Sequence, residues 1–314
     1  MRKTCINKIY ELAKQDPKIV FIGSDLSPGL LSEMQRDFPE RYFMEGVSEM
    51  NIVGMASGMA LDGWTPFVNT IASFITRRCY EQVALDVCLH NLPVRLIGNG
   101  GGLVYAPLGP THLAIEDFSL MRALPNMTIV ACSDHEEMAR FMDASLHWPH
   151  PIYIRLGKGG DPVISKATQP FVIGKAIMAL ENQNPDILVI STGILTAEAI
   201  KAGKQALKHG VVCDVMHMHT LKPLDEQAII ERIKKVKAVI TIEEHSIIGG
   251  LGSAVADCIL ANSNHHIPKI IRMGIQDKFI ANYGFQLDLL KSHGLLAENI
   301  LDNMKLYSSM GATS

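Results

Sequence analysis

Short apolar runs alternate with segments of helical period along the 314-residue chain, and this alternation constrains the fold more than any other feature. KIVFIG (18–23), TPFVNT (65–70), LPVRLIGN (92–99), MTIVAC (127–132) and PIYIRL (151–156) are each the length of a strand, with Gly, Pro or polar residues at their ends. Helical segments separate them, starting with an amphipathic run to Gln15. Parallel strands need such crossovers, so residues 1–156 read as one parallel-sheet domain. Residues 157–170, GKGGDPVISKATQP, are rich in Gly, Pro and polar side chains and read as a linker. The alternation resumes over 171–314 in PDILVISTG, VVCDVMHMHT, AVITIEEH and KIIRMG, with helices expected at 195–208, 224–234 and 253–261. The fold class is therefore α/β, with two domains, each a mostly parallel sheet flanked by helices.

Charge and composition exclude several classes of function. A formal net charge of −3 with no basic block gives nucleic acid and anionic membrane nothing to attract. No run is long and apolar enough to span a bilayer. The six cysteines are dispersed without a C-x-x-C pair, as expected of reduced, buried thiols, and the predicted location is cytoplasmic.

Within the first domain, FMEGVSEMNIVGMASGMALDG (43–63) places Glu49 at the start of a helical run with no further ionisable residue before Asp62. Ser48 stands where a helix cap belongs, and Gly54 and Gly58 share a face that another backbone can approach closely. Two roles are open to Glu49: complementing the dipole of a buried helix, or chemistry. Ser24 and Asp25 follow a strand's carboxyl end, where open α/β sheets collect ligands, although a turn explains Asp25 equally well. Phe74, Arg77 and Arg78 gather where a strand passes into a helix, as a core aromatic and a solvated helix start or as part of a site. Gly100, Gly101 and Gly102 carry no packing side chain, an entropic cost that a flexible binding loop would justify. His112 closes that loop ahead of a helix expected over 115–123, a position suited to chemistry. In the second domain GGLGSA (249–254) lacks the dinucleotide spacing and reads as a helix-packing turn. His217 and His219 alternate along one strand face, but no third ligand is near in sequence and no metal is predicted there.

Several of these stretches resemble the transketolases and their thiamine-diphosphate-dependent relatives, including deoxyxylulose-phosphate synthase. They are FIGSDLSPG, FMEGVSEMNIVGMASGMALDG, NTIASFITRRCYEQV and, most specifically, GPTHLAIEDFSLMRALPNMTIV. From about residue 170 onward the chain is similar to the family's carboxyl-terminal domain, through TLKPLD and EEHSIIGGLG. The resemblance covers nearly the whole chain and implies a pyrimidine-binding domain over 1–156 with a transketolase carboxyl-terminal-like domain after it. It implies that Glu49 hydrogen-bonds the aminopyrimidine ring of thiamine diphosphate and promotes activation of the cofactor. Phe74 would stack on that ring, Arg77 would line the same pocket, and Asp25 would lie near the cofactor. His112 would face the substrate as a proton donor or hydrogen-bonding group, with Arg2 and Lys158 at positions that can meet a substrate phosphate.

The chain also departs from the family pattern. Leu108 stands where members acting on sugar phosphates carry Asp before G-P-T-H, and Gly100 or a neighbouring glycine stands where they carry His. The G-D-G element, through which the family binds Mg²⁺ and diphosphate in a separate amino-terminal domain, is absent. A dianionic tail needs metal ligands or dipoles, so a second polypeptide is expected to supply them. The expectation is a subunit of a two-chain transketolase, a transferase that moves a two-carbon ketol unit from a ketose to an aldose or aldehyde. Its substrates would be small sugars or sugar phosphates, and it would be inactive without its partner. The expected assembly is a heterotetramer with self-association across the pyrimidine domain. Alternatives are a deoxyxylulose-phosphate-synthase-like or 2-oxo acid dehydrogenase β-type subunit, or a non-catalytic binding or regulatory protein on the same fold.

Overall fold

The structure, a computed structural model, describes residues 1–26, 29, 31–262 and 267–309. Ser27 and Pro28 of the SDLSPG turn, and residues 310–314 of the expected second domain, lie outside them.

Strands β1 (Ile19–Gly23), β2 (Tyr42–Met44), β3 (Thr65–Ile71), β4 (Arg95–Asn99), β5 (Thr128–Ala131) and β6 (Ile152–Leu156) pair in parallel throughout. Helices on both faces bury β1, β4, β5 and β6 along their whole length, which is why these strands read as continuous apolar runs. On one face α1 (Arg2–Ala13) packs against the later helix His135–Leu146, with Ile9, Phe21, Ile97, Phe141 and Ile154 sharing one apolar cluster. After the short α2 (Ser32–Asp37), the other face is covered by α3 (Glu49–Leu61) and a helical run of mixed pitch. That run comprises a π-helical turn at Phe74–Arg78, the single turn α4 (Tyr80–Gln82) and a second π-helical stretch at Val83–Cys88. Ile52, Val53, Val83 and Val87 pack there on Val20, Val68 and Leu96. Helices α5 (Asp117–Ala123) and α6 (His135–Leu146) complete this half.

Only one face of α3 is buried within this chain. Met50 and Leu61 are exposed, and a Cβ built on Gly54 or Gly58 meets nothing within 4 Å. The close approach that these glycines permit is not made within this chain.

The second sheet has the order β12-β11-β8-β9-β7, made from β7 (Ile177–Leu180), β8 (Ile187–Ser191), β9 (Cys213–His217), β11 (Ala238–Ser246) and β12 (Lys269–Ile275). It is parallel except for β7. Helices α7 (Leu195–Leu207), α8 (Glu226–Ile233), α9 (Leu251–Asn262), α10 (Gln286–Ser292) and α11 (Ala297–Ser309) accompany it.

The two halves exchange segments. VVCDVMHMHT does not form one strand: Met218 N–H donates to Ser191 of the second sheet, whereas His219 O accepts from Ala131 of the first. Residues Thr220–Lys222 then form β10, which pairs antiparallel with β5 and gives the first sheet its seventh strand. In the other direction, Leu103, Ala106 and Leu113 from the loop after β4 lie in one apolar cluster with Ile187, Val189, Ile240 and Ile280. Burying a leucine contributes about 1.5–3 kcal/mol, so Leu103 and Leu113 tie the loop to the second half. All six cysteines are buried free thiols. Among the described residues no helix is long and apolar enough to cross a membrane.

Candidate active site

The carboxyl ends of β1 and β2 are in register, and Glu45, the first residue after β2, donates its N–H to Gly23 O at 3.0 Å. Gly46, at φ +70°, then turns the chain into α3, whose first residue is Glu49. Ser48 occupies the cap position without capping: its Oγ donates to Glu45 O at 2.9 Å and braces the turn instead. Glu49 is only 3 % exposed. Its Oε2 accepts from Arg78 Nη1 at 2.7 Å, and Oε1 accepts no hydrogen bond from the described residues.

The same guanidinium lies 4.2 Å over the Phe74 ring, whose centroid is 5.2 Å from that of His112. Glu49, Arg78, Phe74 and His112 thus form one contiguous group drawn from three segments far apart in sequence. Phe74 and Arg78, at the two ends of the π-helical turn and four apart, lie on one face of it. Arg77 points elsewhere. Its Nε pairs with Glu116 Oε1 at 3.1 Å and its Nη2 donates to Thr111 O at 3.0 Å, so it fastens the loop that carries His112. The Glu49 contact belongs to Arg78, whose signal in the sequence was its i+4 spacing from Phe74.

The glycine loop is not a flexible binding loop. Gly100, Gly101 and Gly102 are buried, and a Cβ on each would stand 2.1 Å from the Tyr105 ring, 2.3 Å from Arg155 and 2.4 Å from Glu244, respectively. Gly100 and Gly102 also adopt φ of +71° and +64°. Glycine is required there because three side chains already occupy the space. Glu244 Oε1 accepts from Leu103 N at 2.9 Å and Gln286 Nε2 at 2.6 Å. Burial pushes the Glu244 carboxyl up to about 7, against the opposing influence of Arg155. Its clamp on the loop spans 141 residues of sequence, a distance over which no local pattern signals contact. Beyond the glycines, His112 Nδ1 lies 2.8 Å from Thr111 Oγ1, and α5 begins at Asp117, two residues later than expected.

Of the remaining candidates, Ser24 is buried and donates to Thr70 Oγ1 at 3.0 Å, shaping the carboxyl edge of the sheet. Asp25 is exposed beside it, and Lys158 is exposed after β6. The Arg2 guanidinium stands beside the Tyr105 hydroxyl, whose titration burial nonetheless pushes up. GGLGSA is the packing turn expected: Glu243 accepts from Leu251 N at 2.6 Å and Gly252 N at 2.8 Å, capping α9 with a carboxylate. His217 bridges Thr196 and Glu137, and His219 packs on Phe171.

A buried carboxylate with one oxygen free, set beside an aromatic ring and an imidazole, can exchange a proton with a flat heterocycle stacked on that ring. Comparison with known proteins agrees in family. Residues 1–160 match the transketolase pyrimidine-binding domain and residues 175–300 the transketolase carboxyl-terminal domain. The chain is 33% identical over 302 residues to the 6-deoxy-6-sulfo-D-fructose transketolase subunit SqwH of Clostridium sp. strain MSTE9, covering 96% of this chain and 92% of that one. It is 30% identical over 311 residues to the 1-deoxy-D-xylulose-5-phosphate synthase of Syntrophus aciditrophicus strain SB, covering 98% of this chain but 47% of that one. A solved structure described as a split gene transketolase, inactive beta4 tetramer, superposes with a TM-score of 0.87 at 32% identity, covering 98% of this chain and 97% of that one.

Proposed function

The chain belongs to the transketolase family, and on that premise we propose that it is the pyrimidine-binding half of a split transketolase. With a partner chain it would transfer a two-carbon ketol unit from a ketose to an aldehyde acceptor. The observation that carries this reading is Glu49: a 3 % exposed carboxylate at a helix start, held through Oε2 by Arg78 with Oε1 left over, beside the Phe74 face.

These residues fit the aminopyrimidine of thiamine diphosphate. Glu49 Oε1 offers an acceptor for a ring N–H, Phe74 offers a stacking surface, and Arg78 fixes the direction of the carboxylate. When bound, the cofactor supplies the nucleophilic carbon that takes up the ketol unit. His112, whose ring contacts Phe74, is placed to donate a proton to a substrate oxygen or accept one from it. Arg77 and Glu116 hold the backbone that presents His112.

The residues present do not fit the diphosphate and its Mg²⁺. The sequence has no G-D-G, and among the described residues no three His, Cys, Asp or Glu side chains are grouped to hold a metal ion. The reading therefore assigns those ligands to the partner. The open face of α3, with Met50, Gly54, Gly58 and Leu61, would serve self-association, in keeping with the tetramer described for the solved relative.

The test is turnover of the chain mixed with its candidate partner, thiamine diphosphate, Mg²⁺ and a panel of ketoses. Glu49→Gln is expected to lower turnover about 10²–10⁴-fold with thermal stability retained. A Glu49→Gln enzyme as active as the wild type would sink the proposal.

A further inference from the structure

Glu49, Phe74, Arg78 and His112 all belong to the first half of the chain, yet the loop that carries His112 is gripped from the second. A two-way bridge closes its neck: Gly102 N–H donates to Ala114 O at 2.9 Å and Ala114 N–H to Gly102 O at 3.1 Å. Both arms of the neck are tied to one residue of β11. Glu244 Oε1 accepts from Leu103 N at 2.9 Å, and its side chain fills the space that a Cβ on Gly102 would take. On the other arm Arg155 Nη2 donates to Ala114 O at 2.9 Å and to the carbonyl of Glu244 at 2.7 Å. Arg155 is itself paired with the buried Asp117, Nε to Oδ2, at 2.9 Å. Gln286, the first residue of α10, steadies the clamp from outside with a 2.6 Å hydrogen bond to Glu244 Oε1.

An acid only 5 % exposed loses its hydration, and an apolar side chain would fill the same volume without that loss. What explains Glu244 is therefore what it holds. Beyond the neck the loop leads to the turn in which His112 N–H donates to Gly109 O at 3.0 Å. Arg77 braces that turn at Thr111 O. A loop fastened there alone could pivot, and the neck supplies the second fixed point.

We propose that Glu244 is a positioning residue: by holding the neck of the loop it sets where the His112 imidazole stands, so the carboxyl-terminal half governs a proton transfer to which it contributes no reacting group. The proposal rests on the reading of His112 as the group that exchanges a proton with the substrate. Misplacing such a group by about 1 Å can lower a rate about a hundredfold. Loss of the clamp should accordingly lower kcat with little change in KM, the mark of an interaction made in the transition state.

Glu244→Ala removes the acceptor, whereas Glu244→Gln keeps one, because the amide oxygen can still receive Leu103 N–H and Gln286 Nε2. In the reconstituted enzyme kcat should fall about a hundredfold in Glu244→Ala and less than about threefold in Glu244→Gln. Nitrogen-correlated imidazole NMR spectra of the isolated chain read the placement directly. The His112 signal should shift and broaden in Glu244→Ala and stay as in the wild type in Glu244→Gln. His217 and His219, held by Thr196, Glu137 and Phe171, should be unmoved in both. Gln286→Leu covers the case in which Glu244→Ala does not fold: it should displace the His112 signal and lower kcat about tenfold. A folded Glu244→Ala chain with the wild-type His112 signal or the wild-type kcat overturns the proposal, as does Gln286→Leu with either where Glu244→Ala does not fold. A wild-type mixture without ketol transfer would instead sink the transketolase reading, with the His112 spectra still judging Glu244.

Discussion

Arg78 and Arg77 are adjacent, yet one serves Glu49 and the other serves the loop of His112. Arg78 is 42 % exposed while its carboxylate partner is 3 % exposed, so the pair is a solvent-reaching arm laid over a buried acid. Replacing Arg78 with Met keeps bulk against Phe74 and removes the hydrogen bond. We expect cofactor affinity to fall about tenfold, measured by fluorescence quenching in the presence of the partner, with little change in folding stability. An affinity equal to the wild type would show that Glu49 needs no such support. Glu49 itself was legible in the sequence as an acid isolated at a helix start, and Phe74 and His112 stood out by their positions after strands. Arg78 carried its i+4 spacing from Phe74 as a signal, but that it and not Arg77 reaches Glu49 depends on where α3 packs, which is set by contacts far away in sequence. Tyr105 and Glu244 were invisible for another reason. Each acts by filling or clamping the space of a glycine, and a sequence records the missing side chain without recording what replaces it.

At the scale of elements, the junction of α6, α7 and β9 buries ionisable groups whose charge depends on folding. Burial pushes the Glu137 carboxyl upward, but His217 and the Ser133 N–H outweigh it and hold Glu137 down to about 2. A depressed acid stabilises the fold fully above its ordinary value of 4.5, and that contribution is lost as pH falls through about 2. His219 works in the same direction by another route. Burial holds it down to about 3, so it folds neutral, whereas the unfolded chain takes up a proton below the ordinary 6.5. The His219 contribution should therefore decline as pH is lowered from about 6.5 toward 3, joined by that of Glu137 below about 4.5, while Glu243 and Glu244, raised by burial to about 7, act in the opposite direction. Melting temperature measured from pH 6.5 to 4.5 should fall more steeply, or rise less, in the wild type than in His219→Asn. An equal slope in both would remove His219 from the account. The alternation of strands and helices that frames this junction was readable from periodicity alone. The break at Met218 was not, since nothing local in VVCDVMHMHT says which distant sheet receives each of its ends.

For the whole molecule, one group of exposed apolar side chains lies on the α3 side: Val47, Met50 and Leu61, with Leu85 and Leu89 on the neighbouring helical run. Scattered exposed leucines need no explanation, but a group of this kind around two bare glycines is a surface suited to a second protein. Leu61→Lys is expected to reduce the mass of the isolated chain in multi-angle light scattering, while a surface change elsewhere such as Leu207→Lys, at a residue 55 % exposed, leaves it unaltered. An unchanged mass for Leu61→Lys would move the self-association surface away from α3.

The short β10 also decides how the chain can be divided. It covers the outer edge of β5, and it ends in Lys222, whose Nζ donates to Arg122 O at 2.9 Å. A gene cut between residues 157 and 170 would yield an amino-terminal fragment whose β5 has bare N–H and C=O groups, the template on which sheets of separate molecules join. That fragment should precipitate when expressed alone and stay in solution when the carboxyl-terminal fragment is co-expressed, as sedimentation of the lysate would reveal. A fragment that remains dispersed by itself would show that the edge is shielded without β10. Three residues borrowed from the far side of the linker thus make further subdivision of this chain costly, even though its sequence looks modular.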